Sequence, residues 1–98
     1  MMRYEFSRGN KNGKDFILGY YYNEGNNSGI NFEVGTFEEL IGFINENISG
    51  CVDVYFDDLS LNDIDKIIES ISDEIDVFPD CDKYHYQFFG KIKKHRGK

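Results

Sequence analysis

Apolar and polar residues alternate with a two-residue period over Arg3–Arg8, where Tyr4 and Phe6 share one side, and the period resumes at Phe16, Leu18, Tyr20 and Tyr22. Between these runs Gly9-Asn10-Lys11-Asn12-Gly13-Lys14 supplies turn residues, so the two runs form a predicted hairpin. The polar, glycine-bearing stretch Glu24–Gly29 follows as a second loop, after which Ile30, Phe32 and Val34 alternate with Asn31 and Glu33. The first third of the chain therefore reads as a three-stranded meander.

Beyond it the period changes. Thr36-Phe37-Glu38-Glu39 has capping-box spacing, in which the Thr36 hydroxyl takes an orphan amide and Glu39 reaches back, and apolar residues follow at 37, 40, 41, 44 and 48. This predicts an amphipathic helix ending near Gly50. Cys51 to Phe56 alternates again, with Val52, Val54 and Phe56 on one side and Cys51, Asp53 and Tyr55 on the other. Ser60 then caps a second helix, with Asp63 at its third position, and Leu61, Ile64, Ile67, Ile68, Ile71 and Ile75 recur at helical spacing. Pro79 closes that segment, and Tyr84, Tyr86 and Phe88 alternate with His85, Gln87 and Phe89 in a last strand. The predicted order is β-β-β-α-β-α-β. Each helix offers one apolar stripe and most strands alternate, so the expected class is α+β: one mixed or antiparallel sheet with both helices on one face.

Length and composition narrow the setting. With 98 residues, 40% hydrophobic residues and one proline, and without repeats or a linker, residues 1–98 are expected to form a single domain, with 91–98 as a basic, flexible tail. No apolar run reaches the roughly 18–20 residues of a membrane span, and Glu5 falls where a secretion signal would begin its apolar stretch. A cytoplasmic protein without a membrane partner is expected, in the host cytoplasm if the gene belongs to a phage. Cys51 and Cys81 are too few for a disulfide framework and read as reduced thiols. The absence of alanine beside eleven isoleucines points to AT-rich coding, as in an AT-rich genome or mobile element.

Charge changes the picture most. The net charge is −7, yet residues 1–30 carry +1, residues 83–98 carry +6, and residues 31–82 hold fifteen acids against Lys66 alone. Such a segment attracts a positively charged partner and repels nucleic acid. On a second helix continued to Ile75, Asp65, Glu69, Asp73 and Asp76 would form one ridge opposite the isoleucines. Its carboxylates would recur about every 6 Å, comparable to successive phosphates on a nucleic-acid strand. Asp57, Asp58 and Asp63 extend the patch at the helix start, and Glu74 borders it. A helix dipole disfavours Asp73, Glu74 and Asp76 near a C-terminus, so stability would not explain them. In the run Tyr20-Tyr21-Tyr22 alternation is expected to turn Tyr21 outward, and Tyr55 lies opposite its strand's apolar side; both are candidate interface anchors.

Other chemistries find less support. Cys51, Cys81, His85 and His95 could make a zinc set by residue type, but no CxxC pair is present. The acids between Asp57 and Asp65 lack the glycine and distal glutamate of an EF-hand loop. Gly9–Gly13 leads into a strand rather than a helix, so it is no phosphate loop. No metal, cofactor or catalytic residue is therefore assigned. In size and charge the chain is similar to two groups of small inhibitors: counter-defence proteins of phages and mobile elements, including acidic anti-CRISPR proteins, and immunity proteins that neutralise nuclease toxins. That likeness transfers no residues. The expected function is a non-enzymatic acidic inhibitor that binds a basic protein, such as a nuclease or CRISPR effector, by mimicking phosphates. Toxin immunity is the alternative, and a small zinc-stabilised or catalytic domain the second. Direct nucleic-acid binding is not expected, and the oligomeric state is left open.

Overall fold

The computed structural model describes residues 2–25, 27–80 and 84–90. Strands β1 (Met2–Lys11), β2 (Lys14–Asn23) and β3 (Ser28–Gly35) precede helix α1 (Phe37–Asn47); strand β4 (Gly50–Asp57), helix α2 (Leu61–Glu69) and strands β5 (Ile75–Pro79) and β6 (His85–Gly90) follow. All six strands join one sheet in the order β3-β2-β1-β4-β6-β5. The pair β1–β4 is parallel and the other pairs are antiparallel, so the sheet is mixed, as the α+β expectation allowed.

The first hairpin is tighter than the glycine-rich stretch implied. Asn12 and Gly13 alone form the turn, with φ of 55° and 78°, which is the type I′ geometry that matches strand twist. Lys11 therefore faces Lys14, and the register runs down to Phe6 opposite Gly19 and Tyr4 opposite Tyr21. A side chain at Gly19 would drive its Cβ into the Phe32 ring. That close approach is why glycine occupies the centre of β2.

Both helices lie on the same face of the sheet. The α1 capping box forms as expected: Thr36 Oγ1 accepts from the Glu39 amide at 3.2 Å, and Glu39 Oε1 accepts from the Thr36 amide at 2.9 Å. From α1, Phe43 meets Tyr4, Phe6 and Phe32 edge-on or stacked, which anchors it over β1 and its meander neighbours. Leu40 and Ile44 of α1, Ile64 and Ile67 of α2, and Val52, Val54 and Phe56 of β4 share one core cluster with Phe6 and Phe88. Burying each such side chain contributes about 1.5–3 kcal/mol.

The second helix is shorter than its isoleucine spacing predicts. It stops at Glu69, Ser70 caps it, and a fifth strand that the sequence pattern did not resolve begins at Ile75. Hydroxyls and an amide from across the layer end it: Ser70 Oγ donates to the Lys66 carbonyl, the Ser72 amide donates to Asn45 Oδ1 of α1 at 2.8 Å, and Ser72 Oγ accepts from the Glu74 amide. Serine side chains that bond nearby backbone compete with helix continuation. Ile71 and Ile75 remain in the core, one from the turn and one from the strand, so burial at both positions is compatible with either period. The expected tail, residues 91–98, lies outside the described residues. Among the described residues no helix is long and apolar enough to cross a membrane.

Candidate functional site

The early end of α2 divides the expected acidic ridge. Asp65 and Glu69 stay exposed on one ridge of α2, one helical turn apart. Asp73 and Glu74 sit in the turn after it, and Asp76 is the second residue of β5. The four-carboxylate helical ridge is thus corrected to a pair on the helix and a separate group beyond it. The helix dipole no longer bears on Asp73, Glu74 or Asp76, because none of them is helical.

At the other end of α2, Asp57 and Asp58 close β4 as exposed residues, with Asp58 at a φ of 57° that aspartate tolerates better than most residues. Ser60 caps the helix by accepting the Asp63 amide at 3.1 Å. The Asp63 carboxylate is half-buried and receives Arg8 Nη2 at 3.2 Å, so an internal partner already holds it. Asp57, Asp58, Asp65, Glu69, Asp73, Glu74 and Asp76 have no ion-pair partner among the described residues. Asp65 also acts on its surroundings: together with burial, the larger cause, it pushes the Tyr86 hydroxyl above its ordinary pKa.

The two candidate tyrosines part company. Tyr55 stands on the helix-free face and stacks on His85, with centroids 4.0 Å apart and planes 9° from parallel. Tyr21 is on the helix-covered face, 5.0 Å from Tyr4, and the outward placement expected for it is corrected. Burial and the neighbouring Tyr21 raise the pKa of Tyr4. Since Phe6 faces the helices and Gly19 lies opposite it, Ile17, Gly19 and Tyr21 share the covered side. Phe16, Leu18, Tyr20 and Tyr22 accordingly line the open one.

Around them the open face holds Arg3, to which the sequence reading gave no site role, and His85, which it weighed as a zinc ligand by residue type. The Arg3 guanidinium lies 5.2 Å from the Tyr22 ring centre and 5.5 Å from that of Tyr55, with Nε 3.3 Å from Glu5 Oε2. His85 is bracketed by carboxylates, Nδ1 at 3.2 Å from Asp80 and Nε2 at 3.4 Å from Asp53. The signal that could have found this face was the Asn12-Gly13 pair, whose two-residue turn sets which side of β2 meets Phe6.

A cleft of about 780 Å³ opens where β4 ends beside β1, between Arg3, Glu5, Tyr55, Asp57, Asp58 and Tyr84. Its serine, Ser60, has its hydroxyl engaged as the α2 cap. Among the described residues no group of three or more histidine, cysteine or acidic side chains could hold a metal ion. Cys51 is exposed opposite Phe89, whereas His85 faces Tyr55 four positions along β4, roughly 13 Å of strand away. One zinc ion does not span that separation, so Cys51 and His85 do not share a site. Cys81 and His95 lie outside the described residues. No protein-family model, curated protein or solved structure matches this chain.

Proposed function

We propose that the chain is a non-enzymatic inhibitor that binds a basic, nucleic-acid-handling protein and competes with nucleic acid for its phosphate-binding surface. The observation that carries this reading is the set of exposed carboxylates around α2 that have no ion-pair partner among the described residues, in a segment, 31–82, whose only base is Lys66. Exposed like charges at helical spacing destabilise a helix by about 0.2–0.5 kcal/mol per pair, so Asp65 and Glu69 gain nothing for the fold by their placement. Offered to a cationic groove, the same charges steer encounter and reject nucleic acid. The segmented arrangement replaces regular phosphate spacing with two acidic groups flanking a short helix. The AT-biased composition favours phage or mobile-element counter-defence, of the anti-CRISPR kind, over toxin immunity.

The test is capture on the immobilised protein from the nuclease-treated lysate of the cell in which the gene resides, followed by activity assays of the captured enzyme. A basic nuclease or nucleic-acid-binding effector should be retained, inhibited and displaced by added nucleic acid. Reversing Asp65, Glu69, Asp73 and Glu74 to lysine should weaken retention by roughly a hundredfold while the thermal unfolding midpoint stays near that of the parent. Retention that survives the reversal, or an enzyme bound without loss of activity, overturns the reading. A secreted toxin nuclease as the captured enzyme would move the protein from counter-defence to immunity.

A further inference from the structure

One whole face of the sheet has no covering layer among the described residues, and along β2 it is not built as a solvent face. An antiparallel sheet that faces water alternates apolar-in and polar-out, yet the outward positions of β2 are Phe16, Leu18, Tyr20 and Tyr22. Leu18 of β2 is 39% exposed, and beyond the polar outward positions of β1 and β4 the rings of Phe89 and Phe78, 49% and 55% exposed, stand near the other edge of the same face. An apolar and aromatic spread across a sheet marks an interaction surface more often than scattered single residues do.

Glycines in the flanking strands shape it. A Cβ at Gly29 would meet the Tyr20 hydroxyl, and one at Gly9 would lie 3.0 Å from the Phe16 ring and 3.1 Å from Leu18. The β2 side chains therefore lean over their neighbours instead of standing upright. Tyr20 and Tyr22 sit side by side with centroids 6.5 Å apart and planes 15° from parallel, as two tiles of one platform.

Charge decides what such a platform accepts. The open-face acids are Glu5, Glu33, Asp53, Asp57 and Asp76, with Asp80 beside His85, against Arg3, Lys11 and Lys14, and Arg3 is already matched by Glu5. Lys11 and Lys14 lie at the far tip of the hairpin, away from Tyr22 and Tyr55. Phosphates would meet a repulsive surface across the centre, whereas cations would meet rings and carboxylates together. Arg3 displays that chemistry within the chain, its guanidinium among Tyr22, Tyr55 and Glu5.

We propose that this open face is a docking surface for an arginine-bearing segment of a basic protein, laid across β2, β1 and β4 with its guanidinium groups on Tyr20 and Tyr22, since Tyr55 is already taken up by His85 and Arg3. The proposal rests on the inhibitor reading for the partner's identity, and it adds a second contact surface on the side of the sheet opposite α2. The rings supply apolar contact and cation–π attraction, and the exposed Glu33 and Asp57 supply the charge, Asp53 being held by His85 and Gln87.

Titrating isotope-labelled protein with a short peptide of alternating arginine and serine, and mapping amide shifts, tests the surface directly. The expected shifts fall on Leu18–Tyr22, Arg3–Glu5 and Asp53–Tyr55. Replacing Leu18→Lys together with Tyr20→Ala should weaken the peptide by roughly tenfold, with Asp65→Lys and Glu69→Lys costing less than about threefold. The unfolding midpoint of each variant reports whether the sheet is intact, and Leu18→Lys alone serves if the pair lowers it. Shifts confined to α2, with the Leu18 and Tyr20 changes silent, overturn the docking surface and leave the inhibitor reading standing. Peptide shifts on the open face with no basic enzyme captured by the protein overturn the inhibitor reading and leave the surface. Oligothymidylate binding the same face more tightly than the peptide, or a dimer that Leu18→Lys dissolves, overturns the proposal in favour of nucleic acid or a second copy.

Discussion

The two sides of β2 are fated against their hydrophobicity: the side with fewer large apolar groups goes into the core and the richer side stays out. Ile17, Gly19 and Tyr21 share the helix-covered side with Phe6 of β1, where Ile17 and Gly19 are buried and the Tyr21 ring lies 5.0 Å from Tyr4, tilted by 47°. Phe16, Leu18, Tyr20 and Tyr22, the larger and more aromatic set, stay half-buried or exposed on the face without helices. Hydrophobicity alone would have assigned the core to the second set. Close packing assigned it to the first, because the Phe32 ring and a short helix need a glycine beneath them and the Asn12-Gly13 turn admits only one register. An apolar set left outside under those constraints is available for a partner.

The largest expected difference between the faces is energetic. Phe6 and Phe88 have no exposed surface, and Phe6→Ala should cost about 3–5 kcal/mol, a large part of a small domain's stability. Leu18→Ala on the open face should cost less than about 1 kcal/mol, because much of that side chain is already in water. Urea unfolding of the two variants measures both. Equal losses would mean that the open face is structural, and would remove the main reason to assign it to binding.

A smaller contrast separates two glycines. Gly19→Ala places a methyl group inside the Phe32 ring on the covered face, where α1 prevents the ring from moving away, and about 1–3 kcal/mol should be lost. Gly9→Ala meets only the outer parts of Phe16 and Leu18 at 3.0–3.1 Å. Those side chains can swing into solvent, and the change should fall within about 0.5 kcal/mol. Denaturant midpoints that moved together would show that the open-face side chains are held as firmly as the core.

Much of the fold was legible because local signals and burial agreed. The capping box at Thr36, the strand at Val52–Phe56 and the cap at Ser60 all formed where the pattern put them. The end of α2 was hidden because Ile71 and Ile75 are buried in either a helix or a turn and strand, and the contact that decides between them, Asn45 to Ser72, comes from a residue 27 positions away. Tyr21 was assigned to the wrong side for a related reason: alternation gives a period of two but not its phase. The acids at Asp57, Asp58, Asp65 and Glu69 were legible as exposed charge. Asp63 was not separable from them, since its partner Arg8 lies 55 residues earlier in the chain.

The smallest effect expected concerns tyrosine protons on the covered face. Tyr4 and Tyr86 both have pKa values raised above 10.0, chiefly by burial, so the folded chain holds these protons more tightly than the unfolded chain does. The contribution is fully present below the unfolded value and is lost as pH rises through the folded one. Stability should therefore be flat with respect to these groups up to about pH 9 and decline above the ordinary tyrosine range. Tyr4→Phe and Tyr86→Phe should each make that alkaline decline shallower without changing its neutral plateau through titration. Unfolding midpoints measured across the alkaline range decide it: an unchanged slope in both variants would mean that neither hydroxyl is desolvated by the helical layer. Asp65→Asn adds a finer test, because removing its charge beside Tyr86 should lower that hydroxyl's pKa while leaving Tyr4, whose shift comes from burial and Tyr21, where it was.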